Sequence, residues 1–157
     1  MAVTLGDEAP GITLSASTGD CVSLDRYHGE RPVVLLFFPL AFSPVCTNEL
    51  IAMRDDYESF EEIGAEVMAV SVDSHFTLRA WAEQLELQFP LLSDFNREAS
   101  RAFGTLYEDY YGMKGVSKRA AFVLDVDGTV LYRWVSEDSD QLPPFEDIKE
   151  ALRGSAT

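Results

Sequence analysis

Apolar and polar positions change rhythm several times along the chain. Near the start they alternate: Ile12 and Leu14, then Val22 and Leu24, stand either side of Thr18-Gly19-Asp20. That is the period-2 pattern and turn chemistry of a short hairpin. From Pro32 to Phe38 the alternation gives way to an unbroken β-branched and aromatic run, which suits a central strand buried on both faces beneath helices. Beyond it, Cys46, Leu50, Met53, Tyr57 and Phe60 recur at intervals of four, three, four and three. They form one apolar stripe on a helix that Gly64 stops, with Asp55, Asp56, Glu58, Glu61 and Glu62 mostly on other faces.

Glu66 to Val72 reads as the next buried strand, and Phe76 to Leu87 as a helix with Trp81 and Leu85 one turn apart. A short helix near Arg97 to Phe103 ends at Gly104. Ala120 to Asp125 and Thr129 to Trp134 flank Val126-Asp127-Gly128, whose Asp-Gly pair signals a β-hairpin. Pro143-Pro144 and the acidic segment before them interrupt the chain, and Phe145 to Leu152 reads as a closing helix. The order predicts a layered α/β fold with a mixed sheet. Nothing repeats and no Pro/Ser-rich linker divides the chain, so a single domain over 1–157 is expected.

Composition narrows the class of function. The 157 residues are 46% hydrophobic and 25% charged, ordinary values for a chain with a real core. Twelve Lys and Arg against 27 Asp and Glu give a formal net charge of −15, which opposes both nucleic-acid backbones and anionic membrane surfaces. Val33 to Phe38, closed by Pro39, falls far short of the ~20 apolar residues of a transmembrane helix. The first residues lack the basic and apolar regions of a signal peptide. Only two cysteines, Cys21 and Cys46, are present, too few for a secreted disulfide framework, so a reducing cytoplasm is expected.

The chemistry is concentrated where the buried strand meets the first long helix, Pro39-Leu40-Ala41-Phe42-Ser43-Pro44-Val45-Cys46. Ser43 is a favoured N-cap type and Pro44 fits the first helical position. Cys46 then falls in the first turn, where free amide N–H groups and the helix dipole favour an anion, and the thiolate is the nucleophilic form of cysteine. Open α/β sheets also place their sites at the carboxyl ends of strands. From periodicity alone, a small core hydrophobe remains an equal reading of Cys46. Read the same way, Arg119 is a strand-end arginine, Glu49 an early-helix acid favoured by the dipole, and Trp81 a core residue.

Pro39-x-x-x-Ser43-x-x-Cys46 resembles the Pro-x-x-x-Thr/Ser-x-x-Cys motif of the peroxiredoxins, thiol peroxidases on a thioredoxin-like fold. The likeness continues through Pro10-Gly11-Ile12-Thr13-Leu14, Ser71-Val72-Asp73-Ser74-His75-Phe76, Phe89-Pro90-Leu91-Leu92-Ser93-Asp94 and Arg119-Ala120-Ala121-Phe122-Val123-Leu124-Asp125. It is strongest to the short one-cysteine, AhpE-type members. The fold implied is a mixed sheet flanked by helices with an N-terminal β-hairpin extension.

The resemblance implies roles residue by residue: Cys46 as peroxidatic cysteine, Ser43 as the hydroxyl that hydrogen-bonds peroxide, Pro39 as the shield against water, and Arg119 as the arginine facing the thiolate. Glu49 matches a position that orients that arginine, and Trp81 an aromatic near the site. The implied substrates are hydrogen peroxide, organic hydroperoxides and peroxynitrite, with no cofactor. Position 51 is Ile51 and no cysteine follows Cys46, so the resolving cysteines of the larger branches are absent. The implied reductant is a low-molecular-weight thiol or a small redoxin. The resemblance also implies a homodimer formed around the active-site loop and the Gly104–Gly112 segment.

Two other functions compete. A thioredoxin-like disulfide reductase would need Cys-x-x-Cys, and Ser43 stands in the first cysteine's place. A redox sensor or holdase, recognised through oxidised Cys46, would keep the reactive thiol with little turnover. His28 and His75 with two cysteines provide no paired-ligand spacing for zinc. Lys114, Lys118 and Arg119 form the one basic spot in an acidic chain.

Overall fold

The computed structural model describes residues 2–154; position 1 and positions 155–157 of the expected 1–157 domain lie outside that range. The elements are β1 (Thr13–Ala16), β2 (Cys21–Ser23), β3 (Val33–Phe37), α1 (Pro44–Asp55), α2 (Tyr57–Ile63), β4 (Glu66–Ser71) and α3 (His75–Leu85), followed by β5 (Leu91–Ser93), α4 (Glu98–Phe103), β6 (Ala120–Leu124), β7 (Val130–Val135) and α5 (Phe145–Arg153). The strands form one mixed sheet in the order β2-β1-β5-β4-β3-β6-β7.

β3 lies inside the sheet, parallel to β4 and antiparallel to β6, and all five of its residues are buried. The pleat sends Val34 and Leu36 to one face, with Cys46, Leu50 and Met53 of α1, Phe60 of α2, Trp81 of α3 and Ile148 of α5. Val33, Leu35 and Phe37 face the other side, with Phe103 of α4 and Leu14 of the hairpin. A run without alternation is what such two-sided burial requires. No described helix is long and apolar enough to cross a membrane.

The hairpin is built into the sheet rather than appended, because β1 also pairs antiparallel with β5. β5 itself was not expected: three residues are too short to show a period, and its placement comes from pairing with β4 and β1 on either side.

The single helix expected from Cys46 to Phe60 is two. The break falls at Asp56 (φ −103°, ψ 6°), whose carboxylate accepts from Ser59 Oγ at 2.8 Å and pairs with Lys149 of α5 at 2.5 Å. A short acidic side chain that bonds nearby groups competes with helix continuation. Lys149 also holds that carboxyl below its usual range. The apolar stripe survives the break, except that Tyr57 is half-buried and stacks on Phe89.

Candidate active site

Three local features end β3 and start α1. Pro39 is buried just past the strand, Phe42 takes a left-handed φ of 69°, and Ser43 (φ −72°, ψ 150°) serves as N-cap before Pro44. Cys46 therefore falls in the first helical turn, as the sequence predicts. The Ser43 hydroxyl departs from the capping role, since no side-chain cap forms. It donates instead to the Leu40 carbonyl oxygen at 2.8 Å. Its hydrogen is then committed, while its lone pairs remain able to accept.

Topology brings Arg119 to the same place. β6 runs antiparallel to β3 with Ala120 opposite Phe37, so the preceding residue lies at the end of the sheet where β3 opens into α1. Arg119 Nη2 donates to Cys46 Sγ at 3.3 Å and Nη1 to Glu49 Oε1. The Ser139 carbonyl oxygen accepts from Nε at 3.1 Å and from Nη2 at 2.8 Å. Cys46 and Glu49 have no exposed surface and Arg119 almost none. The planar guanidinium thus bridges two groups one helical turn apart on α1 and fixes itself to a loop carbonyl.

The Cys46 sulfur is not sealed among hydrocarbon neighbours. Apolar residues pack on one side and a cation meets it on the other. Burial alone would lower Arg119; Glu49 and Cys46 raise it above its ordinary value, so it stays charged. Glu49 goes the other way: burial pushes its carboxyl up to about 7, against the opposing pull of Arg119. Its second oxygen, Oε2, is buried without a partner.

Glu49 predicts a pH signature. A carboxyl raised from 4.5 to about 7 binds more protons folded than unfolded, so its contribution to stability falls as pH rises through that window. Glu49→Gln is expected to remove this component, which is at most about 1.4 kcal/mol per pH unit, the slope of one proton. Urea unfolding of both proteins at several pH values between 4.5 and 7 measures the difference; parallel curves would refute it.

A cavity of about 370 Å³ opens beside these groups, lined among others by Ser43, Val45, Tyr110, Tyr111, Arg119 and Asp140. Trp81 is buried behind the loop, its ring 5.4 Å from that of Phe38 and 5.8 Å from that of Phe42. The Ser139 carbonyl and the two tyrosines were not found from sequence. A main-chain acceptor carries no residue signal, and the tyrosines lie in a segment without periodicity.

Other candidates lie elsewhere. Cys21 is exposed on β2, four strands from β3 in the sheet, about 19 Å at the usual strand spacing. Lys118 pairs with Glu137 at 2.7 Å. His28 packs against Gly128, whose φ of 87° suits the Asp-Gly turn, and His75 stacks on Phe76. Among the described residues no cluster of His, Cys, Asp and Glu could hold a metal ion.

The AhpC/TSA family model matches residues 5–133, a span that includes both Cys46 and Arg119. The chain is 35% identical over 163 residues to a chloroplastic 2-cysteine peroxiredoxin of Chattonella marina var. antiqua, covering 98% of this chain and 79% of that one. Its structure is similar to that of peroxidoxin BcpB from Mycobacterium tuberculosis, with 30% identity, a TM-score of 0.86 and 99% of each chain covered. It is also similar to the reduced 2-Cys peroxiredoxin of Plasmodium vivax, with 28% identity and a TM-score of 0.83 over 94% of this chain and 79% of that one. With the mixed sheet and the family match running through the same residues, the chain belongs to the AhpC/TSA family and is a peroxiredoxin, a thiol peroxidase.

Proposed function

We infer that Cys46 is the peroxide-attacking thiol of a one-cysteine cycle, a reading carried by the 3.3 Å contact between Arg119 Nη2 and its sulfur. The Cys46 thiolate attacks the terminal oxygen of a hydroperoxide. The S–O bond forms as the O–O bond breaks, and the leaving oxygen takes up a proton as water or an alcohol, leaving a sulfenic acid. Arg119 and the first-turn amides stabilise the charge passing from sulfur to oxygen. Ser43, its hydrogen held by Leu40, accepts from the peroxide O–H. Pro39 and Trp81 limit water and support the loop, and Glu49 orients Arg119.

The reductant is external. Within these 157 residues Cys21 is the one other thiol; it sits on β2, four strands from the β3 that leads into Cys46, whereas a disulfide needs Cα atoms within ~7 Å. A small thiol or redoxin attacks the sulfenic sulfur and releases water, and a second thiol frees Cys46 as a symmetrical or intramolecular disulfide forms on the donor. Hydrogen peroxide and organic hydroperoxides are the substrates, with peroxynitrite chemically equivalent at the attacked oxygen.

Intact-mass measurement after one equivalent of hydrogen peroxide tests this cycle. One oxygen gained, trapped at Cys46 by a sulfenic-acid reagent, is the expected result. Loss of two hydrogens would make Cys21 a resolving partner and overturn the one-cysteine reading. Oxidation without sustained turnover across thiol donors would favour a sensor.

A further inference from the structure

The loop that carries Ser43 toward α1 is held from outside by a residue with no role in the cycle above. Asp73 lies just past β4, and its Oδ2 accepts from the Ala41 amide at 2.7 Å. The same oxygen accepts from Ser71 Oγ at 2.6 Å, and Ser71 Oγ accepts in turn from the Asp73 amide at 3.2 Å. The Asp73 carbonyl oxygen takes Ser93 Oγ at 2.6 Å. The carboxylate is therefore fixed to the ends of β4 and β5 before it reaches the loop.

Its grip falls next to the one strained point of that loop. Ala41 precedes Phe42, which holds a left-handed φ of 69° without being glycine. Such a conformation persists only where surrounding contacts enforce it. Two contacts from the β4–α3 unit do so: Asp73 on the Ala41 amide and the Trp81 ring on that of Phe42. The residue after Phe42 is Ser43, and three further on is Cys46.

We propose that Asp73 is a positioning residue for the peroxide step, holding the Ala41 amide so that the Phe42 turn aims the Ser43 hydroxyl and the first turn of α1 at the Cys46 sulfur. The proposal rests on Cys46 being the peroxide-attacking thiol. A carboxylate suits the task, because charge-assisted bonds to an amide and a hydroxyl are short and directional. Peroxide attack needs an aligned S–O–O geometry, which a displaced loop loses steeply. Attack of a small thiol on the sulfenic sulfur makes no use of Ser43.

Single-turnover kinetics of Asp73→Ala and Asp73→Asn, with the two half-reactions followed separately, test the role. In Asp73→Ala, oxidation by hydrogen peroxide is expected to slow by about ten- to a hundredfold, while reduction by a small thiol stays within about twofold of wild type. Asp73→Asn keeps an oxygen acceptor for Ala41 and is expected to oxidise within about threefold of wild type. An alanine variant oxidised at the normal rate, equal slowing of both half-reactions, or an asparagine variant as slow as alanine would each overturn the proposal. Should Asp73→Ala not fold, Ser71→Ala frees the carboxylate to turn away and is expected to slow oxidation alone by about threefold; an unchanged rate there overturns it too. One oxygen added to Cys46 of the wild-type protein, measured in the same series, reports on the nucleophile itself and so separates the two failures.

Discussion

Cys46→Ser is expected to lower steady-state peroxide turnover by at least about a thousandfold, whereas Cys21→Ser retains it within about twofold. A serine hydroxyl stays protonated beside Arg119 and is a poor nucleophile toward a peroxide oxygen, so the cation that favours a thiolate gains nothing from it. Substitution at this site also leaves the scaffold nearly intact, because the smaller oxygen fits the space of the sulfur and Arg119 can still donate to it. The exposed Cys21 on the outermost strand tests the converse. Peroxide consumption with a recycling thiol measures both. A Cys21→Ser protein that loses turnover, or a Cys46→Ser protein that keeps it, would remove the one-cysteine cycle.

The sequence exposed most of what periodicity can carry. β3, β4 and β6 announced themselves by apolar runs, and the Asp-Gly turn announced β7. The stripe from Cys46 to Phe60 was read correctly as a buried face and wrongly as one helix, because one of the two partners that hold Asp56 at the break, Lys149, lies 93 residues along by the numbering. β5 is defined by its neighbours and not by its own three residues. At the site, Cys46 and Ser43 were legible as the start of a helix after a strand. Arg119 and Glu49 were ambiguous from residue type alone, and only sheet register and burial give them their meeting point. The acceptor at Ser139 and the clamp by Asp73 are products of tertiary geometry, one a main-chain carbonyl and the other an acid in a turn after a strand.

The second large effect belongs to Arg119. Arg119→Met is expected to slow oxidation of Cys46 by about a hundred- to a thousandfold, the scale of losing a preorganised charged donor from a reacting centre. It also breaks the buried pair with Glu49; burial then pushes that carboxyl up unopposed and Glu49 takes up a proton, so stability should fall, but by less than the few kcal/mol of an uncompensated buried charge. Stability and rate are separable in the double variant Arg119→Met/Glu49→Gln. With no charge left to bury, its unfolding free energy is expected to recover toward wild type, while the oxidation rate stays low because nothing restores a donor to the sulfur. Arg119→Lys supplies charge without the fork. An ammonium group can meet Cys46 or Glu49 but does not reproduce the planar set of bonds to Glu49, Cys46 and Ser139, so an intermediate rate is expected. Stopped-flow oxidation beside urea unfolding distinguishes these outcomes. A double variant that regained both stability and rate would mean that Arg119 only neutralises Glu49, and that the thiolate draws its stabilisation from α1 alone.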